Sequence, residues 1–111
     1  MKPSDIPQII AKELSIRPHQ VEKTIELLDG ENTVPFIARY RKEVTGSLID
    51  EQIRTIEERL TYLRNFVKRQ EEILTKIDEQ GKLTSALKTK IEQAQKLQEL
   101  EDLYLPYKQK R

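Results

Sequence analysis

Cysteine is absent from this 111-residue sequence, and histidine occurs once, at His19. Without cysteine there can be no disulfide and no thiolate metal site, and a zinc site would need two or more His or Cys ligands. The sequence has no glycine-rich phosphate loop, and its single histidine indicates no nucleophile–base pair. We therefore expect no catalytic residues, no metal and no cofactor, and predict that the protein is not an enzyme.

Long apolar runs are also missing. No stretch approaches the roughly 20 apolar residues of a membrane span, and the first five residues lack the apolar core of a signal peptide. The absence of cysteine suits a reducing compartment, so we expect a cytoplasmic protein without membrane contact. Lysine and arginine (20) nearly balance aspartate and glutamate (19), for a net charge of +1. Dedicated nucleic-acid binders usually carry a basic excess, so only weak autonomous binding is expected.

Glycine (three) and proline (five) are scarce and fall where helices should begin or end. Isoleucine, leucine and valine recur at steps of three and four residues, which is the helical period. The pattern predicts an all-α fold: a helix-turn-helix-like three-helix N-terminal part, then a long helix and an antiparallel return of two shorter helices. The expected N-terminal caps include Asp5, Thr33 and a capping box from Ser47 to Asp50. The six predicted helices cover about residues 6–14, 18–29, 34–45, 49–80, 84–94 and 96–104.

The long fourth helix carries apolar residues at alternating steps of four and three, from Ile49 to Ile77. We call this row the heptad seam. Gln70 is its one polar member, and either fixes register or lies where a partner helix has diverged. About 30 residues make a rod of roughly 45 Å, so part of it should pack on something else, such as later domains or a second copy. The predicted packing residues are Ile53, Ile56, Leu60, Leu63, Val67, Leu74 and Ile77.

Two regions follow from this pattern. Residues 1–48 should form the helix-turn-helix-like part, and residues 49–111 the long helix with a helical hairpin, cut from a longer multi-domain chain. Within 6–28, a small residue at Ala11 and a tight turn at Ser15 fit helix-turn-helix spacing. The residues that would then face a major groove include Arg17, His19, Gln20 and Lys23. Neighbouring acids offset these bases, so a structural module is expected rather than a sequence-specific DNA reader.

The segment 35–42 is the strongest candidate for a functional site. Arg39, Arg41 and Lys42 fall within four positions and surround an aromatic residue, Tyr40. Such a patch could bind phosphates or an acidic partner. The alternative is that these cations pair with the nearby carboxylates of Glu43, Asp50 and Glu51, or cap the end of their helix.

Several stretches resemble the N-terminal region of the bacterial Tex family of transcription accessory proteins. They are residues 10–14, 17–21, 27–30, 34–43, 45–46, 56–60 and 97–108, of which 34–43 and 100–108 are the most specific. The resemblance implies a long, cytoplasmic, multi-domain protein whose N-terminal helices feed a long central helix. It also implies later domains, including a C-terminal oligonucleotide-binding barrel that carries most of the nucleic-acid affinity.

Residues and resemblance together predict an N-terminal architectural and interaction module of a Tex-like protein, which binds RNA mainly through domains absent here. Its expected partners are the later domains of the parent chain, the transcription machinery and, weakly, RNA or DNA. Two alternatives remain open. One is a self-associating coiled-coil protein, and the other is a weak autonomous DNA-binding helix-turn-helix module.

Overall fold

The computed structural model describes residues 2–108, and within this range every regular element is helical. The predicted all-α fold is confirmed. Short 3-10 turns occupy Pro3–Asp5 and Leu105–Tyr107. The seven α-helices of the described range are α1 (Ile6–Leu14), α2 (Pro18–Asp29), α3 (Val34–Tyr40), α4 (Lys42–Thr45), α5 (Asp50–Glu79), α6 (Ser85–Gln93) and α7 (Leu97–Tyr104).

The predicted tight turn between α1 and α2 is confirmed at Ser15. This residue adopts a left-handed conformation with φ 56°, and the Ile16 N–H donates to the Ala11 carbonyl over 3.0 Å. Ala11 is buried, as its small side chain predicted. The expected cap at Asp5 is wrong, because Asp5 has helical dihedrals and its side chain makes no cap hydrogen bond. The preceding 3-10 turn leads the chain into α1 instead.

The single helix predicted for 34–45 is two helices, α3 and α4, separated at Arg41. Thr33 caps α3 as predicted, since its hydroxyl accepts the Phe36 N–H over 3.3 Å. At the break, the Val44 N–H donates to the Arg41 carbonyl instead of continuing the α-helical ladder to Tyr40. The Tyr40 carbonyl accepts from the Arg41 guanidinium over 3.0 Å. The side chain of Tyr40, the last residue of α3, is 55% exposed.

The long helix α5 runs for 30 residues without interruption, as predicted. Its start differs from the expected capping box. Ser47 lies before the helix in a left-handed conformation (φ 66°), and the Gln52 side chain accepts the Ile49 N–H over 3.0 Å. Beyond the last turn, Gly81 adopts φ 71° and the Lys82 N–H donates to the Ile77 carbonyl, which closes the helix.

The heptad seam is covered by this chain itself. Ile53, Ile56, Leu60, Leu63, Val67 and Ile77 are 0–5% exposed, and Gln70 is 4% exposed. Leu74 is half-buried, whereas Ile49 at the start of the row is 59% exposed. The buried members of the seam therefore pack in this chain's own core. That later domains or a second copy dock along the long helix stays a prediction.

Two compact units divide the chain between Leu63 and Arg64, inside α5. The first, residues 4–63, holds α1–α4 and the first half of α5, and its most deeply buried side chains include Ile10, Ile37 and Ile53. The second holds the rest of α5 with α6 and α7 around a core of Phe66, Ile73, Ile77, Ile91 and Leu100. The predicted boundary between residues 48 and 49 concerns domains of a longer chain and stays a prediction.

In the second unit, the turn at Gly81 sends the chain back towards the earlier part of α5. The Thr84 hydroxyl caps α6 by accepting the Leu87 N–H over 3.1 Å. Arg69 contacts Glu101, and Gln80 donates to the carbonyl of Tyr107 over 2.8 Å. The chain after Gly81 therefore returns to contact both the middle and the end of α5.

For residues 2–108, the helices include none with the length and apolarity that crossing a bilayer requires.

Candidate nucleic-acid interface

A row of planar side chains lies where α3 ends. The Phe36 and Tyr40 rings are neighbours, with centroids 5.3 Å apart. The Arg39 guanidinium lies 5.6 Å from the Tyr40 centroid, and that of Arg41 lies 4.9 Å from the Phe36 centroid. The order is therefore arginine, tyrosine, phenylalanine, arginine. We call these four residues and the adjacent Lys42 the cationic ridge.

The local fold explains why the ridge forms. Phe36 and Tyr40 are four residues apart on α3, so their rings stack along one face of the helix. The break at Arg41 turns the chain, and the Arg41 side chain folds back to reach both the Tyr40 carbonyl and the Phe36 ring. Phe36 and Arg41 are half-buried, while Arg39, Tyr40 and Lys42 are exposed. The outer part of the ridge thus presents two cations and a phenol ring to solvent.

The ion pairs that the sequence offered as an alternative role for these three cations are not formed among the described residues. Within residues 2–108, no salt bridge joins Arg39, Arg41 or Lys42 to any of the three carboxylates that the sequence offered as partners. Elsewhere in the chain, arginines are used differently. Arg59 makes two 2.8 Å bonds to Glu13, and this hydrogen bonding raises the pKa of Arg59. In the ridge, Arg39 and Arg41 lie against aromatic rings without a carboxylate partner in the described range, and Arg41 also donates to the Tyr40 carbonyl. The exposed Arg39 and Lys42 therefore keep N–H groups available for an anionic ligand.

A second ion pair, between Arg69 and Glu101, lies within the second unit. Arg69 donates to Glu101 over 2.7 and 3.1 Å and also contacts Glu72. Hydrogen bonding to Arg69 lowers the pKa of Glu101, while the same contact raises the pKa of Arg69. These charges satisfy one another at a partly exposed position, so they serve structure rather than ligand binding.

The four helix-turn-helix candidates have different surroundings. Gln20 is committed to the fold: its amide donates to the carbonyls of Thr45 and Gly46, and its oxygen accepts the Arg17 N–H. Lys23 lies 3.5 Å from Glu26. The side chains of Arg17 and His19 are exposed. They line a shallow cleft that also includes Glu43 and Val44 of α4.

The structure offers little for metal chemistry. In the described range, no three residues of the types His, Cys, Asp and Glu gather closely enough to hold an ion. The predicted absence of catalytic residues is not tested by this geometry and stays a prediction.

Two features of the ridge escaped the sequence reasoning. The spacing of Tyr40 within the apolar pattern of 36–44 does not indicate that its ring is exposed. Its exposure depends on the break at Arg41, for which the sequence contains no proline or glycine signal. The stacking of the arginines on rings was equally hidden, because sequence spacing does not distinguish a cation resting on an aromatic ring from one paired with an acid. The interleaving of arginine with aromatic residues in 36–41 was the one readable signal.

Comparison with known proteins agrees with the resemblance seen in the sequence. Residues 4–78 match the family described as the Tex-like protein N-terminal domain. The chain is 60% identical to the Bacillus subtilis (strain 168) protein YdcI over 94% of its length, and 53% identical to the transcriptional accessory protein Tex of Neisseria gonorrhoeae over 96%. It is 32% identical over 94% of its length to the human S1 RNA-binding domain-containing protein 1.

The relatives are much longer than this chain. The match covers 14% of the YdcI and Tex proteins and 10% of the human protein. The family model spans most of the chain, from the turn before α1 to the last turn of α5. The chain belongs to the Tex family, as a representative of its Tex-like N-terminal domain.

Proposed function

We propose that this chain is the N-terminal architectural module of a cytoplasmic transcription accessory protein that binds RNA mainly through domains outside residues 1–111. The observation that carries the proposal is the match of nearly the whole chain to about a seventh of a protein named transcriptional accessory protein Tex. A related protein is named for an S1 RNA-binding domain, and only a tenth of its length matches here. The module itself is proposed to have no enzymatic activity.

The geometry supports an architectural role. Helix α5 contributes to both compact units, and each unit buries its own set of apolar side chains on that helix. The seam is thus used to build the chain's own cores. Contacts with later domains or with the transcription machinery would therefore use the exposed surface. With a net charge of +1, the whole chain has no extended basic field that would support tight binding by itself.

The test compares this chain with the complete Bacillus subtilis YdcI protein. Both are titrated into a fluorescently labelled single-stranded RNA of about 20 nucleotides, at matched salt concentrations. We expect the 111-residue chain to bind roughly 100-fold more weakly, because most phosphate contacts and their counterion release belong to other domains. Equal affinity of the two proteins would contradict the proposal, since the RNA-binding surface would then lie within this chain.

The exposed start of α2 favours a second candidate, a weak DNA-binding helix-turn-helix module. Arg17 and His19 lie at the first turn of α2, which follows α1 after the tight turn at Ser15. Glu43 lines the same cleft, and the Gln20 amide is occupied by α4, so few donors remain to read bases. A duplex DNA probe in the same titration distinguishes the two candidates, because only this second one requires preference for duplex.

A further inference from the structure

We propose that the cationic ridge is an auxiliary binding site for single-stranded nucleic acid, in which one unpaired base stacks at the Tyr40–Arg39 end and phosphates contact Arg39 and Lys42. This inference deepens the proposed function, because it assigns a secondary RNA contact to a module whose main role is architectural. It rests on the packing of the ridge and on what its side chains leave unused.

The ring of Tyr40 is exposed at the end of α3. Tyr40 is 55% exposed although it belongs to a helix in which Val34, Ile37 and Ala38 are buried. An exposed phenol ring beside guanidinium groups is a surface on which a base can stack, and bases also stack on the plane of an arginine. The Phe36 ring lies 5.3 Å from the Tyr40 ring, and the Arg41 guanidinium lies 4.9 Å from the Phe36 ring. These contacts continue the row into the half-buried part of the fold.

Within residues 2–108, Arg39 and Lys42 form no ion pair with a carboxylate, whereas Arg59 and Arg69 elsewhere do. An arginine laid over a ring keeps its charge and most of its N–H donors available. Two exposed cations beside one stacking surface match the pairing of backbone contacts with base stacking in single-strand binders.

The exposed ring beside the cations also favours a single strand over other ligands. In a duplex the bases are already stacked and paired, so the ring of Tyr40 would have no function there. A ligand that is only acidic, such as a peptide rich in glutamate, would use the cations but not the ring. The aromatic row therefore favours an unpaired base over both alternatives.

The experiment is a titration of the isotopically labelled 111-residue chain with single-stranded oligouridine RNA of about ten nucleotides, followed by backbone amide NMR at low salt. This measurement detects millimolar binding, so a weak site is still visible. The expected result is a set of shift changes centred on residues 36–42. If saturating RNA leaves these amides unmoved, the site does not exist.

The variants then test each part. Tyr40→Ala should weaken binding by about 5- to 100-fold, the range for losing one stacked base, while Tyr40→Phe should bind as the parent does. Arg39→Ala and Lys42→Ala should each lower the salt slope by about 0.7 per lost phosphate contact. Lys12→Ala and Arg54→Ala remove one exposed cation each from α1 and α5 of the same unit, and should leave binding nearly unchanged. Circular dichroism confirms that each variant is folded.

Three results would overturn the inference. Tyr40→Ala could bind as the parent does; a decaglutamate peptide could shift the same amides with equal affinity; or a duplex of equal length could bind more tightly than the single strand. None of these decides the proposed function, which depends on the comparison with the complete YdcI protein. Conversely, equal affinity in that comparison would contradict the proposed function and leave the stacking test at Tyr40 intact.

Discussion

The side chain of Thr45 is completely buried in the first unit, and its hydroxyl has no hydrogen-bond partner among the described residues. Thr24, which is equally buried on α2, donates its hydroxyl to the Gln20 carbonyl over 2.7 Å. The two threonines therefore differ in one respect, the satisfaction of a buried polar group. An unsatisfied buried hydroxyl lowers the free energy of unfolding by about 1–3 kcal/mol. Replacing the Thr45 hydroxyl should therefore stabilise the protein.

Thr45→Val is expected to raise the free energy of unfolding by about 1 kcal/mol, because it replaces the unpaired hydroxyl with a methyl group of similar volume. Urea denaturation followed by circular dichroism measures the change. Thr24→Val is the matched control, and should be neutral or destabilising by up to about 1 kcal/mol, since it removes a formed hydrogen bond. A lower stability for Thr45→Val would show that the Thr45 hydroxyl does have a partner in solution.

The sequence indicated which residue types form the candidate site, but not which contacts their side chains make. Three cations around an aromatic residue marked 39–42 as a candidate, and the structure brings the two arginines and Tyr40 into one row with Phe36. The choice between ring and carboxylate as the partner of each arginine depends on side-chain directions set by the break at Arg41. Gln20 shows the same limit, because its bonds to the carbonyls of Thr45 and Gly46 join positions 25 and 26 residues apart.

At the scale of elements, helix ends were predicted well where a single residue determines them. Gly46 and Gly81 both follow a helix with φ near 70°, and Thr33 caps α3. The errors were at Asp5, Ser47 and Arg41, where neighbouring segments set the backbone direction. A glycine at a left-handed position is a local requirement. A helix break without proline or glycine depends on tertiary packing, which no local pattern encodes.

Gly46→Ala should destabilise the fold by about 2–3 kcal/mol. An alanine at φ 70° costs about 1–2 kcal/mol, and its Cβ would lie 2.5 Å from the Gln20 amide nitrogen, which must move and lose its hydrogen bonds. Gly81→Ala is the matched control: φ is 71° and a Cβ there meets nothing within 4 Å, so only the backbone cost of about 1–2 kcal/mol applies. Thermal and urea unfolding of both variants measure the difference.

The Gln20→Ala background separates the two causes. Without the glutamine side chain, Gly46→Ala and Gly81→Ala should cost nearly the same. If Gly46→Ala remains clearly more costly in that background, the extra destabilisation does not come from the contact with Gln20.

The heptad seam also gives a test at the scale of one helix. Leu60→Ala should destabilise the protein by about 2–5 kcal/mol, because Leu60 is only 5% exposed and its truncation leaves a cavity. Ile49→Ala, at the exposed start of the same row, should change stability by no more than about 0.5 kcal/mol. Chemical denaturation compares the two, and equal costs would show that the seam is not buried as a row in solution.

At the scale of the molecule, the helical period predicted which residues of α5 are apolar contacts but not what covers them. A heptad row fits a second copy, later domains or the chain's own helices equally well. In the second unit the choice was made by a helix distant in sequence, α7, whose Leu100 lies in one core cluster with Phe66 and Ile73. The large apolar side chains that stay exposed in the described range are Tyr40, Ile49 and Leu105.

These exposed side chains do not provide a dimer interface. A stable interface buries about 1,200–2,000 Å² in total, while three separate side chains contribute a few hundred Å² at most. Sedimentation equilibrium between about 10 μM and 1 mM should therefore give one species near 13.1 kDa. A mass that rises towards twice this value would support the alternative hypothesis of a self-associating coiled-coil protein. In that case Ile49→Asp tells the two routes apart, because it would disrupt a dimer formed through the exposed start of the seam and spare one formed elsewhere.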